Sequence, residues 1–390
     1  MKKNNIKFFN ETLYEETLEN GMKVYIIPND NVLDTFVTFT AKYGGCNYEF
    51  KYNNKFVKLP NGVAHFLEHK MFEQKNRVEP FTFFGRTGTY SNAATNYHNT
   101  YYIFAGNNNF KENLNYLLDF VQDPYFTDEN VEKEKGIIGQ EIRMYDDYPE
   151  WRVYLNAMQA MYHNNPIKID ITGTIETISK IDKEILYKCY NTFYHPSNMT
   201  MVVCGDFEPE KLLEEIKKRL LPKENQADIK RIYTAKEDKI NMPEKIAQME
   251  VSTPIFMMAY KDIENNQEAA IKKHIAIEIL LNIIIGKSSK LYKELYEEGL
   301  LLAQPDFDYE FSAQYAHTLI SGASKEPKKV AQKITDRIEQ LKQQGLDDEE
   351  FERARRKLYG DYVIEYNSVA NIARMFLADK MKGINSFDYI

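Results

Sequence analysis

Residues 65–69 read His-Phe-Leu-Glu-His, and this stretch decides how the fold and the function of the whole chain are interpreted. Residues three and four apart lie on one face of a helix, so His65, Glu68 and His69 are expected to point the same way. Two imidazoles one turn apart can bind one Zn²⁺, and a neighbouring carboxylate can accept a proton from water at that metal. The stretch therefore predicts a helix that carries most of a metal site.

The order H-x-x-E-H is the signature of the inverzincin zinc peptidases. The chain has 7 histidines in 390 residues, so composition alone rarely produces two of them at this spacing around a glutamate. The alternative is a helix with two surface histidines in a salt-bridged stripe. We favour the zinc site because further parts of such a site follow in the sequence.

A catalytic zinc also needs a third protein ligand and an open fourth position. We predict a second helix from Asp128 to Tyr162, with Thr127 or Asp128 as its cap. One stripe along it recurs at spacings of three and four, and its members are Val131, Glu134, Ile138, Glu141 and Tyr145. Because a buried carboxylate needs a partner, we assign Glu141 as the third zinc ligand and Glu134 as the residue that orients a ligand histidine. The alternative is that both glutamates are solvated in a different register of the helix.

A hairpin is predicted between these two helices. Residues 90–95 and 100–105 are rich enough in β-branched and aromatic side chains for two strands, and the polar residues 96–99 separate them. An exposed edge strand can add an extended peptide through backbone hydrogen bonds, largely independent of side chains. The alternative is an ordinary hairpin of the core.

These three pieces, in this order, resemble the pitrilysin-type (M16) zinc metallopeptidases. The similarity covers most of residues 15–220 and, more weakly, residues 245–380. It is closest to small bacterial members that retain Phe-Leu-Glu-His-Lys, here at 66–70, and that pair with a paralogue. The resemblance implies zinc-dependent hydrolysis of peptides or unfolded segments, bound as an added β-strand in a cleft.

The resemblance also implies a defined set of site residues. The implied ligands of one Zn²⁺ per chain are His65, His69 and Glu141. Glu68 is the implied catalytic base, and Glu134 would lie beside a ligand histidine. The implied substrate contacts are Asn92, Ala93, Ala94 and Thr95.

At 390 residues the chain is too long for one typical domain, and its pattern of elements recurs. The strands predicted to open the two halves are Lys23–Ile27, Thr35–Lys42, Ile246–Ser252 and Ile255–Tyr260. We predict an α+β fold of two similar domains, each a mostly antiparallel sheet with helices packed on one face. The predicted limits are 1–220 for the catalytic zinc-binding domain, 221–243 for a polar linker and 244–390 for an inactive repeat domain.

The second half does not repeat the metal motif. Its equivalent helix, from Glu268 to Ile285, carries His274 alone, which we interpret as structural. Many members of the family supply an arginine and a tyrosine to the substrate from this half, but Tyr296 stands at the arginine position and no tyrosine follows at the usual distance. A paralogous subunit or a second copy of the chain is therefore the predicted partner, and we favour the paralogue. The chain ends at Ile390, short of the last elements expected for the family.

Composition limits the other classes of function. The net charge of −8 argues against a nucleic-acid partner. The most apolar run, Ile275–Ile285, contains Glu278 and Asn282 and is too short to span a bilayer, so we predict no membrane contact. Three scattered cysteines, and an N-terminus without the apolar region of a signal peptide, predict free thiols and a cytoplasmic location.

Three functions remain open from the sequence. The first is an active peptidase subunit. The second is a non-catalytic scaffold or assembly subunit of the same fold, which is less favoured because all four candidate metal-site residues persist. The third is a zinc-stabilised binding module, but a closed structural site usually has four protein ligands, often cysteines, and no cysteine lies close to the motif.

Overall fold

The computed structural model of the chain describes residues 1–6, 11–30, 34–221, 229–232, 237–262, 267–384 and 387. The strands in chain order are β1 (Lys2–Ile6), β2 (Glu11–Thr17), β3 (Lys23–Pro28), β4 (Phe36–Ala41), β5 (Glu49–Tyr52), β6 (Lys55–Lys58), β7 (Tyr90–Thr95), β8 (Thr100–Ala105), β9 (Met199–Gly205), β10 (Ile229–Arg231), β11 (Ile255–Asp262), β12 (Asp306–Phe311) and β13 (Ala316–Ala323). The helices in chain order are α1 (Val63–Met71), α2 (Pro80–Arg86), α3 (Phe110–Gln122), α4 (Asp128–Asp146), α5 (Pro149–Met161), α6 (Ile175–Ser179), α7 (Lys183–Phe193), α8 (Pro209–Arg219), α9 (Gln267–Ile285), α10 (Lys290–Glu297), α11 (Pro327–Gln344), α12 (Asp348–Glu365) and α13 (Val369–Lys382).

Seven strands form the first sheet, in the order β1-β2-β3-β9-β4-β8-β7. All neighbours are antiparallel except β3 and β9, which run parallel. Parallel strands need a long connection, and here helices α1 to α7 lie between β3 and β9 in sequence. Strand β7, the predicted substrate strand, lies at one edge of this sheet.

Successive side chains of a strand point to opposite faces of its sheet, and both faces of the first sheet are buried. Val24 of β3 belongs to the cluster that contains Leu67 of α1 and Leu117 of α3, whereas the adjacent Tyr25 belongs to a separate cluster. Helix α13 covers that second face, and its buried residues there are Val369, Ile372, Ala373, Phe376 and Leu377. A helix from the second half of the chain thus packs against the sheet of the first half.

The second sheet is antiparallel and has the order β11-β13-β12. Helices α9, α10 and α11 contribute Leu281, Leu295 and Ile334 to the cluster that includes Ile320 of β13. Met158 of α5 lies in a different cluster, with Leu319 of the same strand. The predicted α+β fold is confirmed, but helices cover both faces of the first sheet where we predicted one, because each half lends one helix to the sheet of the other. Strands β10, β5 and β6 form a third, small sheet.

Helix α9 contains the most apolar run of the sequence. Leu281, Ile284 and Ile285 are buried in the core of the second half, as expected of a buried helix. Within the described ranges, no helix combines the length and the apolar character needed to cross a membrane.

Two predicted helix boundaries are wrong. The helix predicted from Asp128 to Tyr162 is two helices, since α4 ends at Asp146 and α5 begins at Pro149. Proline lacks the backbone N–H that a helix interior requires, but it fits the first helical position. The sequence also predicts a helix from Lys180 to Phe193, but this helix begins at Lys183, because the Asp182 carboxylate accepts a hydrogen bond from the backbone N–H of Ile185 at 2.7 Å and caps the helix.

The strand predicted at residues 246–252 is also wrong. This segment pairs with no strand among the described residues, and the Ile246 side chain is 75% exposed. A strand forms where a neighbour satisfies its backbone groups, and alternation of side chains alone does not provide that neighbour. Of the predicted linker 221–243, residues 222–228 and 233–236 lie outside the described residues, and Ile229–Arg231 forms a short strand antiparallel to β5.

Candidate metal centre and substrate cleft

Helix α1 begins after Gly62, where the backbone has φ 90°. This left-handed conformation favours glycine, and a Cβ at this position would lie 2.5 Å from the carbonyl oxygen of Thr172. The close approach fixes where α1 starts. As a result His65 and Glu68, three residues apart, are both buried, with 8% and 7% of their surface exposed.

Helix α4 is fixed at its start by a reciprocal pair of hydrogen bonds. The Thr127 hydroxyl accepts from the Asn130 backbone N–H at 3.1 Å, and the Asn130 side-chain oxygen accepts from the Thr127 backbone N–H at 2.9 Å. Downstream, Glu134 is buried and Glu141 is partly buried, and both contact the histidines of α1. The predicted stripe of α4 therefore faces the H-x-x-E-H helix.

The side chains of His65, His69 and Glu141 converge. One ligand atom from each lies within 4.8 Å of the other two, and this is the one group of three potential metal ligands found among the described residues. The Nε2 of His65 is 3.6 Å from Glu141 Oε1, and the Nε2 of His69 is 3.5 Å from Glu141 Oε2. These distances are long for hydrogen bonds, so the three groups face one another without direct bonding.

The hydrogen bonds of the three groups fit a bound cation. His69 Nδ1 lies 3.1 Å from Glu134 Oε1, an acceptor, which assigns the proton of neutral His69 to Nδ1 and turns the Nε2 lone pair toward Glu141. Within the described part of the chain, Glu141 Oε2, which lies 3.5 Å from His69 Nε2, is buried without a hydrogen-bond partner. Two imidazoles and one carboxylate are also the ligand set of many catalytic zinc sites. The residues present therefore fit Zn²⁺.

Burial and neighbouring charges shift the pKa values of these groups. Burial lowers the pKa of His65 to about 3, so its imidazole is neutral at pH 7 and available as a ligand. Burial lowers the pKa of His69 too, but its hydrogen bond to Glu134 and the charges of Glu68 and Glu141 outweigh this and raise it. Burial raises the pKa of Glu141.

Glu68 is held by the predicted substrate strand. The Thr95 hydroxyl donates a hydrogen bond of 2.8 Å to Glu68 Oε2, and it also lies 3.2 Å from the Thr100 hydroxyl. Burial raises the pKa of Glu68, whereas the hydrogen bond from Thr95 lowers it. The sequence predicts Thr95 as a substrate contact, but the structure places its hydroxyl against Glu68.

A cavity of about 1320 Å³ opens beside these residues. His65, Glu68 and His69 line it, as does the edge strand β7 through Asn92, Ala93, Ala94 and Thr95. Among the described residues, every one that lines the cavity falls between His65 and Thr172, so the second half contributes none. The cleft is thus built by the first half around the three converging side chains.

The two residues singled out in the second half lie away from this cavity. Tyr296 on α10 is 56% exposed and is absent from the cavity lining. His274 packs against the rings of Tyr309 and Phe311, and burial lowers its pKa to about 4. A neutral histidine among aromatic rings is typical of a core residue.

One further residue at the centre was not predictable from the sequence. Lys70, next to His69, is completely buried, and its ammonium lies 3.3 Å from Glu134 Oε2. Although burial raises the pKa of Glu134, the hydrogen bond with His69 and the charge of Lys70 hold it below its usual value. A lysine at the end of a motif is expected on the surface, and only the position of α4 shows why it is buried.

Fold and site together define a class: a two-part α+β protein with a candidate zinc centre of two histidines and a glutamate in a large cleft. Residues 57–175 match the family model described as Insulinase (Peptidase family M16), and residues 180–358 match the one described as Peptidase M16 inactive domain. The chain is 38% identical over 388 residues to the "Uncharacterized zinc protease YmfH" of Bacillus subtilis (strain 168), covering 97% of this chain and 90% of that protein. The chain belongs to the M16 peptidase family, as the sequence motifs predicted.

Solved structures agree with this assignment. A putative M16-like peptidase from Alicyclobacillus acidocaldarius superposes with a TM-score of 0.92 at 32% identity, over 97% of this chain and 91% of that one. A protease from Helicobacter pylori has the same fold, with a TM-score of 0.82 at 20% identity over 95% and 90% of the two chains.

Proposed function

We propose that this chain is a zinc-dependent endopeptidase that hydrolyses peptides or unfolded segments bound as an added strand in the cleft. The observation that carries the proposal is the convergence of His65, His69 and Glu141 beside the buried carboxylate of Glu68. The relative from Bacillus subtilis is named a zinc protease, and the family is one of peptidases. One Zn²⁺ per chain, bound by the two histidines and Glu141, is part of the proposal.

The chemistry follows from the side chains around that centre. When bound, zinc supplies a water of lowered pKa and polarises the scissile carbonyl. Glu68 is proposed to take a proton from the attacking water and to pass it to the leaving amine. Thr95 holds one oxygen of the Glu68 carboxylate at 2.8 Å and so fixes the orientation of the base. Glu134 keeps His69 in the tautomer that leaves Nε2 free.

Substrate binding is proposed to use the open edge of β7. The strand lies at the end of the first sheet and lines the cavity through Asn92, Ala93 and Ala94. Backbone groups at a sheet edge pair with an extended peptide of almost any sequence. Selection would then depend on whether a segment is extended and fits a cleft of about 1320 Å³.

A partner subunit is proposed because, in the part of the chain that the structure describes, only residues of the first half line the cleft. Ile137 and Met144 of α4, on either side of Glu141 in sequence, are 46% and 59% exposed, which favours a protein surface over them. The partner is proposed to be a paralogue, or else a second copy, that supplies substrate contacts in place of Tyr296. The domain limits 1–220, 221–243 and 244–390 and the cytoplasmic location also remain proposals.

A non-catalytic scaffold is the second candidate. The description "inactive domain" for residues 180–358 favours it for the second half of the chain. The two candidates differ in whether zinc-loaded protein cleaves a quenched-fluorescence peptide library. Cleavage that a chelator abolishes and added Zn²⁺ restores would support the peptidase. Bound zinc without cleavage, whether the protein is alone or in its purified native assembly, would support the scaffold.

A further inference from the structure

Lys70 is a fully buried lysine directly after the second histidine of the motif. Its side chain has 0% exposure, although lysine is among the residues least often buried without a partner. Its position in the last turn of α1 puts the charged end between α1 and α4. The proposed metal ligands and the proposed base do not explain why a lysine ammonium is buried between α1 and α4.

The partners of Lys70 form a connected line of groups. Its ammonium lies 3.3 Å from Glu134 Oε2 and 2.5 Å from Glu73 Oε2. The other oxygen of Glu134 lies 3.1 Å from His69 Nδ1. Glu134 is therefore held by a different donor on each of its two oxygens, with Lys70 on one side and His69 on the other.

We propose that Lys70 is a positioning residue of the metal centre, acting through Glu134 to orient the imidazole of His69 for Zn²⁺. This inference rests on the proposed function, because it assumes that His69 is a zinc ligand. It adds a residue that touches neither the metal-facing nitrogen of His69 nor the substrate strand. Its role is to hold the Glu134 carboxylate in the position where His69 Nδ1 can donate to it.

The physical reason is the cost of a buried carboxylate. The Glu134 side chain is 11% exposed, so an oxygen that loses its donor cannot be satisfied by bulk water without movement. Without the ammonium, the Glu134 carboxylate would turn toward another donor, and that movement weakens its hydrogen bond to His69. Loss of such a supporting hydrogen bond typically lowers metal affinity by about 10–100-fold.

The test is a double-mutant cycle in metal affinity, measured on the full chain by competition for Zn²⁺ with a chromophoric chelator. We expect Lys70→Met and Glu134→Gln each to weaken Zn²⁺ binding by about 10–100-fold. The double variant is expected to bind no more weakly than Glu134→Gln, because Lys70 acts only through Glu134. If Lys70 had only a structural role, the loss of Zn²⁺ affinity from Lys70→Met would instead add to the loss from Glu134→Gln in the double variant.

Two control variants separate this effect from a general change of charge. Lys75→Met makes the same substitution at an exposed lysine that lines the same cavity, and Glu73→Gln removes the outer partner of Lys70 but leaves Glu134 paired. Both are expected to bind Zn²⁺ within about threefold of the parent, a difference below about 1 kcal/mol. Thermal unfolding of each metal-free variant shows whether it is folded, and Lys70→Gln replaces Lys70→Met if the latter is not.

The outcomes distinguish the inference from the function it rests on. If the parent binds no Zn²⁺, the proposed function fails. If the parent binds Zn²⁺ and folded Lys70→Met binds it equally well, or if the losses multiply in the double variant, the role of Lys70 is overturned. The ¹⁵N spectrum of neutral His69 in the metal-free parent and in Lys70→Met gives a second check: a proton on Nδ1 in the parent that is lost from Nδ1 in the variant supports the inference, and the same tautomer in both proteins overturns it.

Discussion

The Thr95 hydroxyl donates a 2.8 Å hydrogen bond to Oε2 of Glu68, and this bond joins the edge strand of the first sheet to the motif helix. Thr95 is the last residue of β7 and is 9% exposed, so its hydroxyl lies inside the cleft wall. This hydrogen bond thus links the proposed base directly to the proposed peptide-binding strand. Substrate that pairs with β7 would lie beside the carboxylate that has to act on it.

Replacing Thr95 by valine tests this connection. The hydroxyl lowers the pKa of Glu68 against the opposing effect of burial, so its removal should raise that pKa. Because Glu68 has to be ionised to accept a proton, we expect the acid limb of the kcat/KM profile to move to higher pH by about one unit, the size expected for one hydrogen bond to a charged group. Thr95→Ser, which keeps the hydroxyl, should leave the limb in place. If the acid limb of the kcat/KM profile were unchanged in Thr95→Val, Thr95 would not influence the pKa of the proposed base Glu68.

Replacing Glu141 by glutamine tests the third ligand. A ligand that binds only the folded state stabilises it, by about 2.7 kcal/mol when free Zn²⁺ is about 100 times Kd. We expect added Zn²⁺ to raise the unfolding temperature of the parent but not that of Glu141→Gln. The exposed cleft residue Glu129 provides the control, since Glu129→Gln should keep the full shift.

The metal-free form of the same variant gives an independent result. Burial raises the pKa of Glu141, so the ionised carboxylate opposes folding at pH 7. Glu141→Gln is therefore expected to be as stable as the parent, or more stable, in the absence of Zn²⁺. Marked destabilisation of the metal-free protein would show that Glu141 is held by protein contacts and not by a metal.

Glu237 should make a pH-dependent contribution to stability. Its carboxylate accepts hydrogen bonds from the backbone N–H groups of His163, Asn164 and Asn165, at 2.6, 2.7 and 2.8 Å, and from Lys261 at 3.4 Å. Although burial raises its pKa, these donors lower it. A carboxylate with a lowered folded-state pKa stabilises the protein above its unfolded-state pKa, and this contribution is lost as pH falls through the folded-state value.

We therefore expect Glu237→Gln to lower stability at pH 7 by about 1 kcal/mol, the usual net contribution of a hydrogen bond, because two of the three backbone donors belong to the exposed residues His163 and Asn164. The difference should shrink at pH values below the ordinary range of a glutamate. Urea unfolding of parent and variant across this range measures it. Glu244→Gln, at an exposed residue paired with Lys328, should differ little from the parent at any pH. A difference that stays constant down to low pH would contradict the ionised role of Glu237.

Phe376 tests the packing of α13 on the first sheet. Its side chain has 0% exposure, and its ring meets that of Tyr25 edge-on at 5.0 Å between centroids. Phe376→Ala should destabilise the protein by about 3–5 kcal/mol in urea unfolding, the usual cost of removing a buried phenylalanine. Glu365→Ala, at an exposed position of the preceding helix, should have little effect. Equal midpoints for the two variants would contradict the docking of α13 on that sheet.

The parts of the site that depend on helical spacing were predictable from sequence. Residues three and four apart share a face wherever a helix forms, so His65 and His69 on one helix, and Glu134 and Glu141 on the other, follow from local periodicity. The burial of Lys70 does not follow from it, because its partner Glu134 is 64 residues away and the pairing depends on how two helices pack. The contact between Thr95 and Glu68 depends in the same way on a strand packing against a helix.

The errors in the predicted secondary structure have a similar origin. The break at Pro149 was readable in the sequence, because proline starts helices better than it continues them. Residues 246–252 have the composition of a strand but pair with no strand of the described ranges, and pairing is set by the tertiary fold. Helix α13 carries a recognisable apolar face, but nothing local indicates that this face packs against a sheet formed more than 150 residues earlier.

The most direct measurement compares the parent chain with Glu68→Gln, for Zn²⁺ content and for cleavage of a quenched-fluorescence peptide library with and without chelator. Glu68 lies beside the three proposed ligands without being one of them, so we expect one Zn²⁺ in each protein. We expect chelator-sensitive cleavage by the parent and a rate lower by about 10²–10⁴-fold in the variant, the usual contribution of a general base. Cleavage by zinc-loaded Glu68→Gln at the rate of the parent would contradict the account.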